Sequence, residues 1–261
     1  MLPVVSFGAA EESNHAAMKE ILKTLLDNGG RVVDGSHGGG EQVGRTAANE
    51  LGIQNKFFWA TGGVTRNAAA AAVRAALEEQ IASLKLPRID LVMVSTSFNA
   101  PTHLEVLKEM KKAGRVRHIG VRHLAFPSAT PFGDLESIMR NDQIDFVATD
   151  YNMGDRRAEE KILPLAQERK IAFMAYFTFN RGRLFKRVGT TPLPDWAAEF
   201  DAKTWPQFFL KYVVSHPVVV TARTGTTKAA HILENIGGGI GRLPNEAMRK
   251  RMAEFVDTLP K

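Results

Sequence analysis

The sequence predicts an α/β protein built as a closed (β/α)8 barrel, and three observations carry this prediction. Short apolar runs alternate with amphipathic stretches about eight times within 261 residues. That spacing leaves about 30 residues for each strand-and-helix unit, as barrels of this type have. Most runs are continuous rather than alternating, as in parallel strands covered on both faces. An open doubly wound sheet is the competing architecture, and eight consecutive units favour the barrel.

The predicted strands are runs rich in β-branched and aromatic residues, each followed by a polar or Gly-containing turn. They are VVSF at 4–7, RVVD at 31–34, FFWAT at 57–61, DLVMVS at 90–95, HIGVRH at 118–123, DFVATDY at 145–151, IAFMAYF at 171–177 and VVVTA at 218–222.

The intervening helices carry their own start and stop signals. We expect Ser13 to cap a helix that ends at Gly29–Gly30, and Asn67 to start a long one that reaches Leu84. Another amphipathic stretch lies between His103 and Gly114. Because no Pro/Ser-rich linker or sharp composition shift interrupts the pattern, we predict a single barrel domain over residues 1–261.

Composition narrows the chemistry. The chain has no cysteine, which excludes disulfides, thiolate metal sites and cysteine nucleophiles. No apolar run approaches membrane-spanning length, and the start lacks a basic region before a long apolar one. We therefore expect a soluble protein without a membrane partner, cytoplasmic by default and periplasmic if an export signal was removed.

The charge pattern predicts a solvated surface rather than a nucleic-acid interface. The net charge is +6, and the basic residues are spread out apart from basic clusters at 181–187 and 249–251. Neither basic cluster is interleaved with the aromatic residues on which bases stack. The oligomeric state is left open.

In a barrel, function belongs at the carboxyl ends of the strands. Two carboxylates, two imidazoles and two guanidiniums fall at or just after these ends. They are Asp34, His37, Arg122, His123, Asp150 and Arg223. Packing alone does not require so many ionisable groups at one mouth.

The order of segments resembles the aldo-keto reductase superfamily over nearly the whole chain. The matching stretches are NGGRVVDGS (28–36), FFWATGG (57–63), ASLKLPRIDLVMV (82–94), GRVRHIGVRH (114–123), FVATDYNMGDRRAEEKILPLAQERKIAFMAY (146–176) and TGTTKAAHILENI (224–236). EEKILPLA and RGRLFKRV are similar to bacterial members that often carry an export signal. The resemblance implies the barrel fold and hydride transfer between NADPH and a carbonyl by an Asp–Tyr–Lys–His tetrad.

Only one member of that tetrad has a counterpart here. Asp34 matches the family Asp, whereas Gly39, Gly62 and Ser95 stand where the resemblance expects Tyr, Lys and His. The helix after Gly39 starts about three residues early, so the loop that carries the family Tyr is shortened.

The resemblance also implies changes in the cofactor pocket. Arg122–His123 replaces the Ser–Asn pair that holds the nicotinamide amide, and Tyr176 takes the position that stacks on the nicotinamide ring. We expect no cofactor. If NADP(H) binds, its phosphate would meet the helix start at Thr226, Thr227 and Lys228, with Asn235 retained from the family pattern.

We therefore expect a site in which Asp34, His37 and His123 move protons. Arg122 and Arg223 would hold a small anionic substrate, helped by Asp150 and Tyr176, while ion pairing of the arginines with Asp34 or Asp150 is the structural alternative. Asp34, His37, His123 and Asp150 lack diagnostic metal-ligand spacing, so we predict no metal. The segment at 39–46 approximates a phosphate loop but has Arg45 in place of Lys.

Three functions follow. The first is an enzyme without the hydride mechanism, acting by acid/base chemistry of lyase, isomerase or hydrolase type on a small anionic or carbonyl substrate. The second is an NADPH-dependent carbonyl reductase in which His37 or Tyr176 replaces the proton donor. The third is a non-catalytic ligand-binding or regulatory protein, which a mouth plugged by Phe177, Phe179 or the loop at 189–203 would favour.

Overall fold

Eight parallel strands close into a barrel in which each strand pairs with the next in chain order and the last pairs with the first. The computed structural model describes residues 5–8, 14–36, 40–62, 68–124 and 132–260. The strands are β1 Val5–Gly8, β2 Val32–Asp34, β3 Phe58–Thr61, β4 Ile89–Ser95, β5 Val116–His123, β6 Phe146–Asp150, β7 Ala172–Tyr176 and β8 Val219–Gly225. The predicted (β/α)8 barrel is confirmed.

Helices surround the barrel and alternate with its strands. They are α1 His15–Asp27, α2 Glu41–Glu50, α3 Ala70–Leu84, α4 Ala100–Lys112, α5 Gly133–Asn141, α6 Ile162–Arg169, α7 Arg183–Val188, α8 Trp205–Val214, α9 Ala229–Gly237 and α10 Glu246–Asp257. Short 3-10 helices occur at Gln54–Lys56, Arg157–Glu159, Asn180–Gly182 and Asp195–Phe200.

The helix starts differ in detail from the sequence prediction. Asn14 caps α1, since its side chain accepts a hydrogen bond from the backbone N–H of Ala17 at 2.8 Å. The predicted caps Ser13 and Asn67 lie outside the described residues. Residues 41–46 of the approximate phosphate loop lie in α2, so that stretch is helical rather than a phosphate cradle.

Two apolar layers form the core. The larger one fills the space between the strands and the helices. The smaller one fills the barrel interior and consists of Ala60, Leu91, Met93, Phe146, Ala148, Met174 and Tyr176. Gly120 lets the strands approach here, because a Cβ at this position would lie 2.5 Å from Met93 Sδ and 2.7 Å from the Phe146 carbonyl oxygen.

Tyr176 marks the top of the interior layer, at the carboxyl end of β7. The polar strand ends begin at this level. His37, with the rest of 37–39, lies outside the described residues, as do 63–67 and 125–131. Among the described residues, none of the helices combines the length and apolar character that a membrane crossing needs.

Candidate functional site

Asp34, Ser36 and Tyr176 form a buried hydrogen-bonded chain at the barrel mouth. The Tyr176 hydroxyl donates to Asp34 Oδ2 at 2.5 Å, and the backbone N–H of Ser36 donates to Asp34 Oδ1 at 2.8 Å. Ser36 Oγ lies 2.5 Å from the Tyr176 hydroxyl oxygen. Both carboxylate oxygens of Asp34 are therefore engaged by groups from β7 and from the turn after β2.

Burial raises the pKa of Tyr176 well above its ordinary value, and the neighbouring charge of Asp34 raises it further. The phenol has no exposed surface. Tyr176 therefore stays protonated at neutral pH and acts as a hydrogen-bond donor to Asp34.

Arg223 completes this chain from β8. Its Nε lies 3.4 Å from Asp34 Oδ2, and one Nη donates to the Asp34 carbonyl oxygen at 3.3 Å. The guanidinium carbon is 5.3 Å from the centre of the Tyr176 ring. Gly8 makes room for it, because a Cβ there would lie 2.3 Å from Arg223 Cζ. Arg223 thus adopts the ion pair with Asp34 that the sequence left open as the structural alternative.

Arg122 points toward the same cluster from β5. Only 8% of its surface is exposed. Burial lowers the pKa of its guanidinium, the charge of Arg223 adds to that effect, and the nearby Tyr176 and Asp34 oppose it. Two cations therefore face one carboxylate at this side of the mouth, an arrangement that favours an anionic ligand.

Asp150 pairs with a residue that the sequence assigned to the solvated surface. An Nη of Arg181 donates to Asp150 Oδ2 at 2.7 Å, and Asp150 is only 2% exposed. The same guanidinium lies 3.5 Å from the centre of the Phe177 ring. The expectation that the basic cluster at 181–187 is merely solvated is wrong for Arg181.

His123 does not join Asp34. Neighbouring side chains of a strand point to opposite faces, and Arg122 already points into the barrel. His123 Nδ1 lies 2.8 Å from Thr96 Oγ1, and its ring packs against Phe132 at the start of α5. The described contacts of His123 are thus with Thr96 and Phe132, and its predicted proton role stays a prediction.

The turn after β2 lies tight against β3. A Cβ at Gly62 would lie 2.4 Å from the carbonyl oxygen of Ser36. Position 62 therefore accepts no side chain while the Ser36 backbone keeps its place.

Thr226, Thr227 and Lys228 lie together at the start of α9. Thr226 Oγ1 accepts a hydrogen bond from the backbone N–H of Lys228 at 3.0 Å and lies 3.1 Å from His231 Nδ1. Asn235 is buried and shares a narrow crevice with Val5 of β1 and Leu25 of α1. The first three residues present polar groups at a helix N-terminus, whereas Asn235 faces the protein interior.

Sequence reasoning assigned no catalytic or binding role to two functional candidates. Ser36 lies in the turn directly after β2, at the carboxyl end of the barrel, and that position is a signal that could have identified it. Arg181 gave no such signal, because it reaches Asp150 only through a left-handed backbone at Asn180 and Arg181, with φ of 49° and 53°. Within the described ranges, no three His, Asp or Glu side chains gather closely enough to hold a metal ion.

Comparisons with known proteins agree with this architecture. A family model for the Aldo/keto reductase family matches residues 5–252. Aldo-keto reductase YhdN of Bacillus subtilis is 25% identical over 63% of this chain and 53% of its own length. Methylglyoxal reductase YeaE of Escherichia coli is 25% identical over 83% of this chain and 74% of its own length. The chain thus spans only about half of YhdN.

Solved structures show the same fold. An aldo/keto reductase from Klebsiella pneumoniae, in complex with NADP and acetate, superposes with a TM-score of 0.77 over 98% of this chain and 92% of that one, at 19% identity. The holo form of aldo-keto reductase AKR11C1 from Bacillus halodurans gives the same TM-score over 97% and 91%, also at 19% identity. The eight-stranded barrel and the match over residues 5–252 place this chain in the aldo/keto reductase family.

Proposed function

We propose that this chain is an aldo/keto reductase-fold enzyme that does not transfer hydride and acts instead by acid/base chemistry on a small anionic substrate. One observation carries the proposal. The Tyr176 hydroxyl is hydrogen-bonded to Asp34 beneath Arg223, with Arg122 close enough to interact electrostatically, so the residue expected to face a nicotinamide is already engaged.

The described residues at the mouth do not fit a nicotinamide. Tyr176 has no exposed surface, and the Arg223 guanidinium lies over its ring. Hydride donation also leaves a positively charged nicotinamide ring, which two adjacent guanidiniums disfavour electrostatically.

The start of α9 fits a phosphate better. Thr226, Thr227 and Lys228 stand at a helix N-terminus, where backbone N–H groups favour anions. If NADP(H) bound, these three residues would hold its phosphate. Asn235 would have to turn outward from its buried position to contribute.

The proposed reaction uses five residues of the mouth. Arg122 and Arg223 hold the anionic group of the substrate through charge-assisted hydrogen bonds. Asp34 takes and returns a proton through Ser36 and Tyr176: Ser36 Oγ relays the substrate proton to the buried Tyr176 oxygen as the phenol proton moves to Asp34 Oδ2. The two transfers within the protein, from Ser36 to Tyr176 and from Tyr176 to Asp34, each span 2.5 Å. A proton role for His37 stays a prediction.

Titration with NADPH tests the absence of hydride chemistry. We expect no fluorescence or heat change at submillimolar cofactor. Saturable binding of NADPH, together with reduction of a carbonyl compound, would overturn the proposal in favour of a carbonyl reductase with a substituted proton donor.

Titration with a carboxylate probe such as succinate tests the anion site. We expect Arg122→Met and Arg223→Met each to weaken binding by about tenfold or more, equivalent to about 1.4 kcal/mol. Arg140→Met is the matched control, because Arg140 is an exposed arginine paired with Glu136 on α5. Equal affinity in all three variants would contradict an anion site at the mouth.

One observation favours a non-catalytic ligand-binding protein as the second candidate. Phe177 packs onto the interior layer and carries the Arg181 guanidinium on its ring. An aromatic residue at this height narrows the barrel mouth. Anion binding without turnover of any small carboxylate or phosphate ester would support this candidate.

A further inference from the structure

We infer that Ser36 is the nucleophile of an acyl-transfer reaction, acting on a small ester whose anionic group binds Arg122 and Arg223. The inference rests on the proposed function only for the binding of the anionic group by Arg122 and Arg223. It adds the reacting atom, Ser36 Oγ, and the substrate class.

The direction of the hydrogen bonds supports this role. Tyr176 donates its single hydroxyl hydrogen to Asp34 Oδ2. The Tyr176 oxygen can then only accept in its 2.5 Å contact with Ser36 Oγ. The hydroxyl hydrogen of Ser36 is therefore aimed at a chain of two short hydrogen bonds that ends on a carboxylate.

Asp34 fixes Ser36 from two sides. Its Oδ1 accepts from the Ser36 backbone N–H at 2.8 Å, and its Oδ2 holds Tyr176, which holds Ser36 Oγ. The close approach of Gly62 to the Ser36 carbonyl oxygen confines the same residue from β3. A hydroxyl held in this way has already lost most of its conformational freedom, so little more is lost when it reacts. Enzymes position their nucleophiles in the same way.

The arrangement has the three parts that activated serines share: a nucleophile, a hydrogen-bonded proton acceptor and a carboxylate that orients the acceptor. Here the middle group is a phenol. Because burial and Asp34 keep that phenol protonated, Tyr176 passes the proton on in a concerted step and Asp34 receives it.

The step balances as follows. Ser36 Oγ bonds to the acyl carbon while the carbonyl π electrons move to oxygen; the Ser36 proton passes to Tyr176 and the Tyr176 proton to Asp34. Collapse breaks the ester C–O bond, and the departing alkoxide takes a proton back from Tyr176, which Asp34 replenishes. Water then attacks the acyl-serine by the same proton route, releasing the carboxylic acid and restoring Ser36.

Two esters that share the 4-nitrophenolate leaving group test the inference. They are mono-4-nitrophenyl succinate, which carries a carboxylate, and the neutral 4-nitrophenyl acetate. We expect a burst of nitrophenolate that is larger with the succinate ester, and a succinyl group on the Ser36 peptide by mass spectrometry. Ser36→Ala should abolish the burst. Tyr176→Phe should slow it by about 100-fold or more, as loss of proton transfer does.

Ser97→Ala is the matched control, since Ser97 is an exposed serine after β4 that makes no contact with Tyr176 or Asp34 in the described structure. Its burst should equal that of the parent. The peptide assignment in the parent protein needs no variant, so it decides the question even if Ser36→Ala fails to fold.

The outcomes separate the two proposals. Succinate binding without acylation of Ser36 overturns the nucleophile and leaves the anion site standing. Acylation of Ser36 with equal preference for both esters supports the nucleophilic role of Ser36 and contradicts anion binding by Arg122 and Arg223. No burst, or an undiminished burst in Ser36→Ala, overturns the inference.

Discussion

At the scale of single residues, a missing side chain shapes the mouth as much as any charge does. Arg223 reaches Asp34 only by crossing the space that a side chain at Gly8 would fill. The backbone of Gly8 lies in a strand and needs no glycine for its own conformation. Its identity matters because of the guanidinium above it.

We therefore expect Gly8→Ala to weaken succinate binding by about as much as Arg223→Met, although it changes no charge. The added Cβ would lie 2.3 Å from Arg223 Cζ, so the guanidinium must move. Calorimetric titration measures the affinity. Gly44→Ala is the control, because its Cβ would meet only Met18 Sδ at 3.9 Å and alanine suits a helix better. Unchanged affinity in Gly8→Ala would contradict the role given to Arg223.

The sequence alone identified Asp34, Arg122, Tyr176 and Arg223 as mouth residues, because each ends a strand and parallel strands end on one side of a barrel. It could not tell which face of a strand a residue occupies. That difference of one position separates His123 from Arg122. It also left Ser36 unassigned, since only the 2.5 Å contact with Tyr176 gives that hydroxyl a role.

At the scale of elements, the connection from β7 to α7 brings a cation over a buried carboxylate. Phe177, Asn180 and Arg181 all have positive φ, and Gly182 follows at 81°. Each non-glycine residue in this region costs free energy that the surrounding structure must offset. The ion pair between Arg181 and Asp150 is one contact that offsets it.

Removing one partner of this pair should be costly. We expect Arg181→Met to lower the free energy of unfolding by about 3 kcal/mol, because it leaves the Asp150 charge buried. Adding Asp150→Asn to that variant should recover much of the loss. Urea unfolding of the single and double variants measures both values. Arg140→Met, which breaks an exposed pair, should change stability by about 0.5 kcal/mol or less. A loss no larger than that in Arg181→Met would count against the buried pair.

The predicted strands agree with the observed ones because continuous apolar runs depend on burial, which the sequence encodes directly. Their ends depend on pairing, which it does not. β8 runs on to Gly225 because its last residues pair with β1 up to Gly8, whereas its apolar run ends at Ala222.

At the scale of the whole molecule, a polar cluster outside the barrel ties α10 to the rest of the chain. Glu159 Oε1 accepts hydrogen bonds from the hydroxyls of Tyr151 and Tyr212 and from Arg249. The ring of His216 packs edge-on against Tyr151. These residues line or adjoin a cleft of about 600 Å³. The basic cluster at 249–251 is therefore partly structural rather than only solvated.

This cluster predicts a pH dependence of stability. Burial lowers the pKa of His216 below 6.5, and the charge of Arg249 lowers it further. Below pH 6.5 the unfolded chain binds more protons than the native one at this residue, so stability falls as the pH falls. We expect His216→Asn, whose amide oxygen can still accept from Val218 N–H, to reduce that fall. Urea unfolding at several pH values between 5 and 8 checks it. Parallel curves for variant and parent below pH 6.5 would contradict the assignment.

Gly62 limits the substitutions that this chain could accept at position 62 during evolution. If the ancestors of this chain carried the lysine that the resemblance places at position 62, no single substitution can bring it back, because its Cβ would collide with the Ser36 carbonyl oxygen. The turn after β2 would have to move first, so a return to lysine at position 62 would need two coordinated changes rather than one.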